Sequence, residues 1–306
     1  MLNLRLLNPN LISQNRENYQ RLTYPRYRPL LDNLQDSRYI AISAEDDQEI
    51  LGLAIGEVDY KQNIGEVLSL FVIPEYRRQG IGNELLIALE TEIRGKNCQQ
   101  IDLIFIPNKT VIALEKILQK NGWSEPKARM LIALGDPKTM RNVTWLNLDQ
   151  KLPLGYEIFP WRKLTSKERK TIQELQKKSP WYPDILSPFT DEDIIEPINS
   201  LGLRYNHEVV GWMITHRISK NTIRYTKLFV KEELQSIGRG IALLGRAIKL
   251  QINHPEINQC SFTVQIENEK MVKFTERRFK PYLDSFRKSF ISSKLIPNMT
   301  QLLTSF

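Results

Sequence analysis

The stretch from Glu66 to Asn83 constrains this chain more than any other, because it joins a strand, a glycine turn and a helix start in immediate succession. The run Val67 to Ile73 is β-branched and aromatic, Pro74 forbids its continuation in a sheet, and the amphipathic stretch NELLIALETEI begins just after Gly82. Such a turn is an anion cradle. Gly80 and Gly82 let backbone N–H groups converge on an anion without Cβ interference, the dipole of the following helix favours negative charge, and Arg77 and Arg78 supply cations. The ligand so expected carries phosphates.

The layout recurs. In TIRYTKLFVKEELQSIGRGIALLGRAIKL a strand ends at Leu228, Phe229 and Val230, Gln235 opens a second turn with Gly238 and Gly240, and an amphipathic helix follows. Val72 to Val230 and Gly80 to Gly238 share one offset of 158 residues, so the chain reads as an internal duplication. With 306 residues the length favours two domains, placed at 1–148 and 149–306. The polar stretch LNLDQKLPL, 146–154, reads as a short linker.

Composition narrows the class. No apolar run approaches the length of a membrane span. The first residues lack a basic start followed by a continuous apolar core, so no secretory leader is expected and the chain is expected in the cytosol. Cys98 and Cys260 read as buried structural thiols, and His207, His216 and His254 show no metal-ligand spacing, so no metal site is expected. The net charge of +8 raises the question of nucleic acid, but the basic residues are dispersed among acidic ones and interleave with no recognised motif. Nucleic-acid binding is therefore not expected. The surplus equally suits a polyanionic cofactor or an acidic peptide.

Periodicity in the first half predicts strands at 2–7, 39–43, 50–59, 100–106, 127–134 and 142–148, besides the motif strand, with helices over 12–34 and 109–120. The second half repeats this order with strands at 156–161, 201–205, 209–217 and 261–266 and helices over 165–178 and 269–279. Its tail, from Asp284 onward, has too little periodicity to assign.

The strand with L-x-V-x-P, the R-x-x-G-x-G turn, and a later strand leading to an Asn that opens a helix resemble the GCN5-related N-acetyltransferase (GNAT) superfamily, once per half. The resemblance implies an α/β fold of two tandem GNAT-like domains, each a mixed, mostly antiparallel sheet flanked by helices. It also implies acetyl-coenzyme A or a longer acyl-coenzyme A as donor. The turn from Arg77 through Arg78, Gln79, Gly80, Ile81 and Gly82 to Asn83 would hold the pyrophosphate, the main chain at Leu70, Phe71 and Val72 the pantetheine arm, and Asn108 would open the next helix beside it. In the second half the corresponding set is Leu228, Phe229, Val230, Gln235, Gly238, Arg239 and Gly240.

The implied reaction is attack of an amine on the thioester, which needs a base. Glu66 lies six residues before Val72, where histone-modifying relatives carry theirs, and strict alternation would put Glu66, Leu68, Leu70 and Val72 on one side of the strand. The sequence also departs from the family. No Tyr follows Asn108 on its helix, which removes the usual acid from the first half; Arg224 stands where Glu66 has its counterpart, while Tyr282 offers an acid to the second half. Two arginines in the first turn, and Glu66, favour the first half as the working one. The expected activity is N-acyl transfer to a primary amine of a small molecule or peptide. Alternatives are a fatty acyltransferase acting on Lys or ornithine side chains of a peptide natural product, a non-catalytic acyl-coenzyme A binder, and a nucleotide-binding protein of another fold. The last is opposed by a turn that lacks the Lys-Ser/Thr ending of a P-loop.

Overall fold

The computed structural model describes residues 2–47, 49–235 and 238–297. Twelve strands are present among them: β1 Asn3–Leu6, β2 Tyr39–Asp46, β3 Glu49–Asp59, β4 Ile64–Val72, β5 Gln100–Phe105, β6 Lys127–Gly135, β7 Tyr156–Pro160, β8 Leu201–Tyr205, β9 Glu208–Ser219, β10 Thr222–Val230, β11 Gln259–Gln265 and β12 Ser285–Leu295. The described residues form two compact units, one from 2–129 with 288–297 and the other from 130–287.

In the first unit the strand order is β1-β2-β3-β4-β5-β12, antiparallel except for the β4/β5 pair. The stretch Leu51 to Ile55 is buried throughout because both faces of β3 are covered. One face packs on helix Ile81–Arg94, whose Leu85, Leu86, Leu89 and Ile93 recur at helical spacing and are fully buried. Each such side chain contributes about 2 kcal/mol. The other face packs on helix Pro9–Arg21 and the short helix Arg28–Leu31 through Ile12, Tyr19, Leu22 and Leu31.

The second unit repeats the plan with the order β6-β11-β10-β9-β8-β7 and one parallel pair, β10/β11. Helix Arg239–Ile252 covers one face and helix Ser166–Lys178 with an aromatic cluster around Trp212 covers the other. The duplication is detailed. Helices Ile81–Arg94 and Arg239–Ile252 have equal length and start at the 158-residue offset, each behind a glycine at positive φ, +89° at Gly80 and +78° at Gly238.

The predicted helix over 12–34 is interrupted: helix Pro9–Arg21 ends ahead of a tight turn at Pro25–Tyr27, and the short helix Arg28–Leu31 follows, with prolines at 25 and 29. The segment at 142–148 is not a strand, and most of the short linker at 146–154 is helical. Residues Thr144–Lys151 form tight helical turns that bury Trp145 and Leu146, and the main chain of Leu146 lies where a Cβ on Gly245 would stand. Close packing on the helix takes the place of strand pairing. The unassigned tail contains β12, which pairs antiparallel with β5 from Phe290↔Phe105 to Leu295↔Gln100, while its counterpart β6 pairs with β11. Each unit is thus completed by the terminal strand of the other repeat. A cut at 148/149 follows the sequence repeat, whereas the grouping of contacts does not.

A buried ion pair secures the exchanged strand. Glu90, on helix Ile81–Arg94, accepts from Trp123 Nε1 at 2.6 Å and pairs with Lys294 of β12; both carboxylate oxygens are used. Lys294→Met leaves that carboxylate buried without its cation and is expected to cost the first unit about 2–3 kcal/mol, below the usual cost of a broken buried pair because Lys294 retains some solvent contact. Urea unfolding checks this, and Glu90→Met in the Lys294→Met background is expected to recover most of the loss.

Candidate active site

The parallel ladder between β4 and β5 runs only from Ile64↔Gln100 to Val67↔Leu103. Beyond Val67 the two strands part, so one edge of residues 68–72 has no strand partner. The register of β4 on β3 also shifts, from Ile55↔Ser69 to Gly56↔Val67, which leaves Leu68 as a β-bulge. The second unit reproduces both features at the same offset: β10 and β11 part after Tyr225↔Phe262, and Thr226 is the bulged residue.

The bulge corrects the expected facing. Glu66 and Leu68 lie on the side of helix Pro9–Arg21, but Leu70 and Val72 pack with helix Ile81–Arg94, and Phe71 and Ile73 take the first side instead. Ser69 confirms the switch, since its hydroxyl accepts from Thr23 Oγ1 at 3.0 Å. A simple period of two holds only up to the extra residue.

At the turn, the carbonyl of Gly80 accepts from the amides of Asn83 and Glu84. Among the described residues, the N–H groups of Arg78, Gln79, Gly80, Ile81 and Gly82 have no intramolecular acceptor. A Cβ built on Gly80 meets nothing within 4 Å, so the cradle opens to solvent at that point. Arg78, at φ +68°, and Gln79 are exposed beside it, while Ile81 is buried beneath it in the core. These are the requirements for binding a phosphate: free donors, a helix start and an accessible cation.

Several predicted contacts serve other purposes. Arg77 Nε donates to the Val72 carbonyl at 2.9 Å, and in the second unit Gln235 Nε2 donates to the Val230 carbonyl at 2.8 Å. A guanidinium and an amide therefore do one job at equivalent positions, bracing the turn on the strand end. The Asn83 amide oxygen accepts from Asn121 Nδ2 at 2.8 Å, and the Asn108 side chain accepts from the amide and hydroxyl of Thr110 ahead of helix Val111–Lys120. The Arg239 guanidinium lies on the Tyr156 ring, 4.7 Å from its centroid. Gly240, like Gly82, has room for a Cβ at ordinary contact distance, so the conformational demand falls on Gly80 and Gly238.

Glu66 is half-buried and stands opposite Glu57 on β3 and Asp102 on β5. Burial is the largest influence raising its carboxyl above the ordinary range; Glu57 and Asp102 add to it, and Arg129 and Arg26 oppose it. Asp102 is held by Gln100 Nε2 at 2.7 Å and Ser293 Oγ at 2.6 Å. Glu66 is thereby the candidate proton acceptor on that face.

The second unit places different chemistry there. Arg224, the counterpart of Glu66, is exposed and pairs across the ladder with His216, and Lys227 behind the bulge is buried and donates to Thr190. A cavity of about 390 Å³ lies where β10 and β11 part, with Arg224, Leu228 and Tyr282 on its wall. Phe229 points instead into the Trp212 cluster, and Val230 packs against helix Arg239–Ile252. Of the apolar residues near the second motif that the sequence offers for a pocket, Met213 and Leu228 line the cavity, whereas Trp212 and Phe229 pack together in the aromatic cluster. The Cys98 and Cys260 thiols are pushed up by burial, Cys260 to about 12, and Cys260 donates to the Gly135 carbonyl.

The Acetyltransferase (GNAT) family model matches residues 6–117, the part of the chain that carries the cradle, the parted strands and Glu66. Residues 6–117 are thus similar to the GNAT family, and the chain has the fold of tandem GNAT structures. Among solved structures it is similar to a tandem GNAT protein from the clavulanic acid biosynthesis pathway, at 13% identity and TM-score 0.62, over 97% of this chain and 100% of that one. It is similar also to a GCN5-related N-acetyltransferase from Sphaerobacter thermophilus, at 13% identity and TM-score 0.60, over 97% and 96%. The glucosamine N-acetyltransferase region of a fungal multi-domain GH3 β-N-acetylglucosaminidase matches at 16% identity and TM-score 0.65, over 96% of this chain and 38% of that one. At these identities the neighbours establish the fold. No curated protein matches the chain by sequence. Among the described residues, no helix is long and apolar enough to cross a membrane.

Proposed function

We propose that the first half of the chain is an acyl-coenzyme A-dependent N-acyltransferase site that acts on a primary amine of a small molecule or peptide, with acetyl as the default acyl group. The observation that carries this reading is the run of acceptor-less N–H groups at Arg78 to Gly82 beside the unpaired edge of β4, within the segment that matches the GNAT family. The turn supplies donors for a pyrophosphate, with Arg78 as the accessible cation. The open edge of residues 68–72 supplies main-chain groups for a pantetheine arm and for polarising a thioester carbonyl. The amine nitrogen attacks that carbonyl carbon, its surplus proton passes to Glu66, directly or through one water, and the C–S bond breaks to release the thiolate.

The second half, with Arg224 in place of a carboxylate, favours a non-catalytic role for that half. Thiol release from acetyl-, octanoyl- and hexadecanoyl-coenzyme A with a panel of amines tests the proposal. Amine-dependent release with the acetyl donor is the expected result. Rates that rise with chain length would replace the acetyl assignment by a fatty acyl one, and tight binding without release under any amine would leave a binder.

A further inference from the structure

The four methionines among the described residues, Met130, Met140, Met213 and Met271, all line the cavity of the second unit, although they come from four separate elements. Methionine is unbranched and polarizable, and its concentration around one cavity suits a flexible apolar ligand that the side chains can follow. The volume of about 390 Å³ lies in the range of small-molecule sites.

The charged residues on the wall are Arg224 and Asp136. Arg224 is exposed and makes no ion pair among the described residues. Asp136, the acidic residue on the wall, already caps the turn that follows it, accepting from the Lys138 amide at 2.9 Å. The first half has a carboxylate, Glu66, at the equivalent position, so the two clefts present opposite charges there. A guanidinium in this place recruits a carboxylate.

We propose that the cavity of the second unit is a binding site for a free medium-chain aliphatic carboxylate, its chain among the four methionines and its head on Arg224. The site is separate from the proposed transfer chemistry and does not rest on it. Calorimetry of the full chain with octanoate, 1-octanol and octanoyl-coenzyme A tests it. Octanoate is expected to bind one per chain, Arg224→Gln to weaken it about tenfold or more, as for a lost hydrogen bond to a charged group, and Met271→Trp to abolish it by filling the cavity. Octanol is expected to bind at least tenfold more weakly than octanoate, and Gly80→Val to leave octanoate affinity unchanged. Equal binding of octanol, no effect of Arg224→Gln, or no heat from octanoate where octanoyl-coenzyme A does bind would each overturn the proposal.

Discussion

Gly80→Val is expected to weaken acyl-coenzyme A binding by about a hundredfold or more and to remove turnover, whereas Gly238→Val is expected to spare both. Gly80 sits at φ +89° with no atom within 4 Å of a built Cβ, so the obstacle is conformational, with no clash inside the protein. A β-branched residue held there costs on the order of 1–3 kcal/mol, and the turn relieves that strain by leaving the geometry that lines up the amides of residues 78–82. The branched side chain would also occupy the open space where phosphate oxygens approach. Gly238 carries the same backbone conformation at φ +78°, so both variants bear comparable strain and differ in the cleft they serve. Titration with acetyl-coenzyme A, with circular dichroism as the fold control, separates them. The reverse pattern would move the active site to the second half and make Tyr282 the residue to test.

That pair of glycines marks how far the sequence alone reaches. The 158-residue offset is legible from Val72, Val230, Gly80 and Gly238, and it carries the tandem organisation and both turns, while the fold class rests on the resemblance. Local chemistry dictates those features: a proline that stops a strand, a glycine that admits positive φ, an apolar period that starts a helix. The bulges at Leu68 and Thr226 were not legible, because an extra residue in a β-branched run leaves the composition of the run unchanged while it reverses every later side chain. The exchange of β6 and β12 was hidden for a related reason. The two strands occupy equivalent places in the repeats, so pattern does not say which copy completes which sheet. Arg77 shows the limit at the site: a cation next to a phosphate-type turn reads as a ligand, yet its hydrogen bond to the Val72 carbonyl is one that Gln235 makes equally well.

Glu66→Gln is expected to leave acyl-coenzyme A affinity intact and to slow turnover roughly a hundredfold at neutral pH, the usual scale for a lost general base. In the unaltered protein the acid limb of kcat/KM is expected above the ordinary carboxylate range, since burial first, and then Glu57 and Asp102, raise the Glu66 carboxyl. The variant should lack that limb, and its deficit should shrink toward higher pH as water deprotonates more of an amine whose free pKa is near 10.4. Stability supplies an independent sign. A carboxyl whose folded pKa exceeds its unfolded one costs nothing below the unfolded value, where both states are protonated, and its full penalty is present above the folded value, where the charge is buried. At neutral pH the amide escapes that penalty, so Glu66→Gln is expected to melt no lower than the unaltered protein, and the two should converge as pH falls through the carboxyl range. A slow variant that also melts lower would make Glu66 a structural residue. A slow variant of undiminished stability, with the acid limb gone, places it at the transferring proton, because only a group held at a cost to the fold and useful to the reaction gives both results.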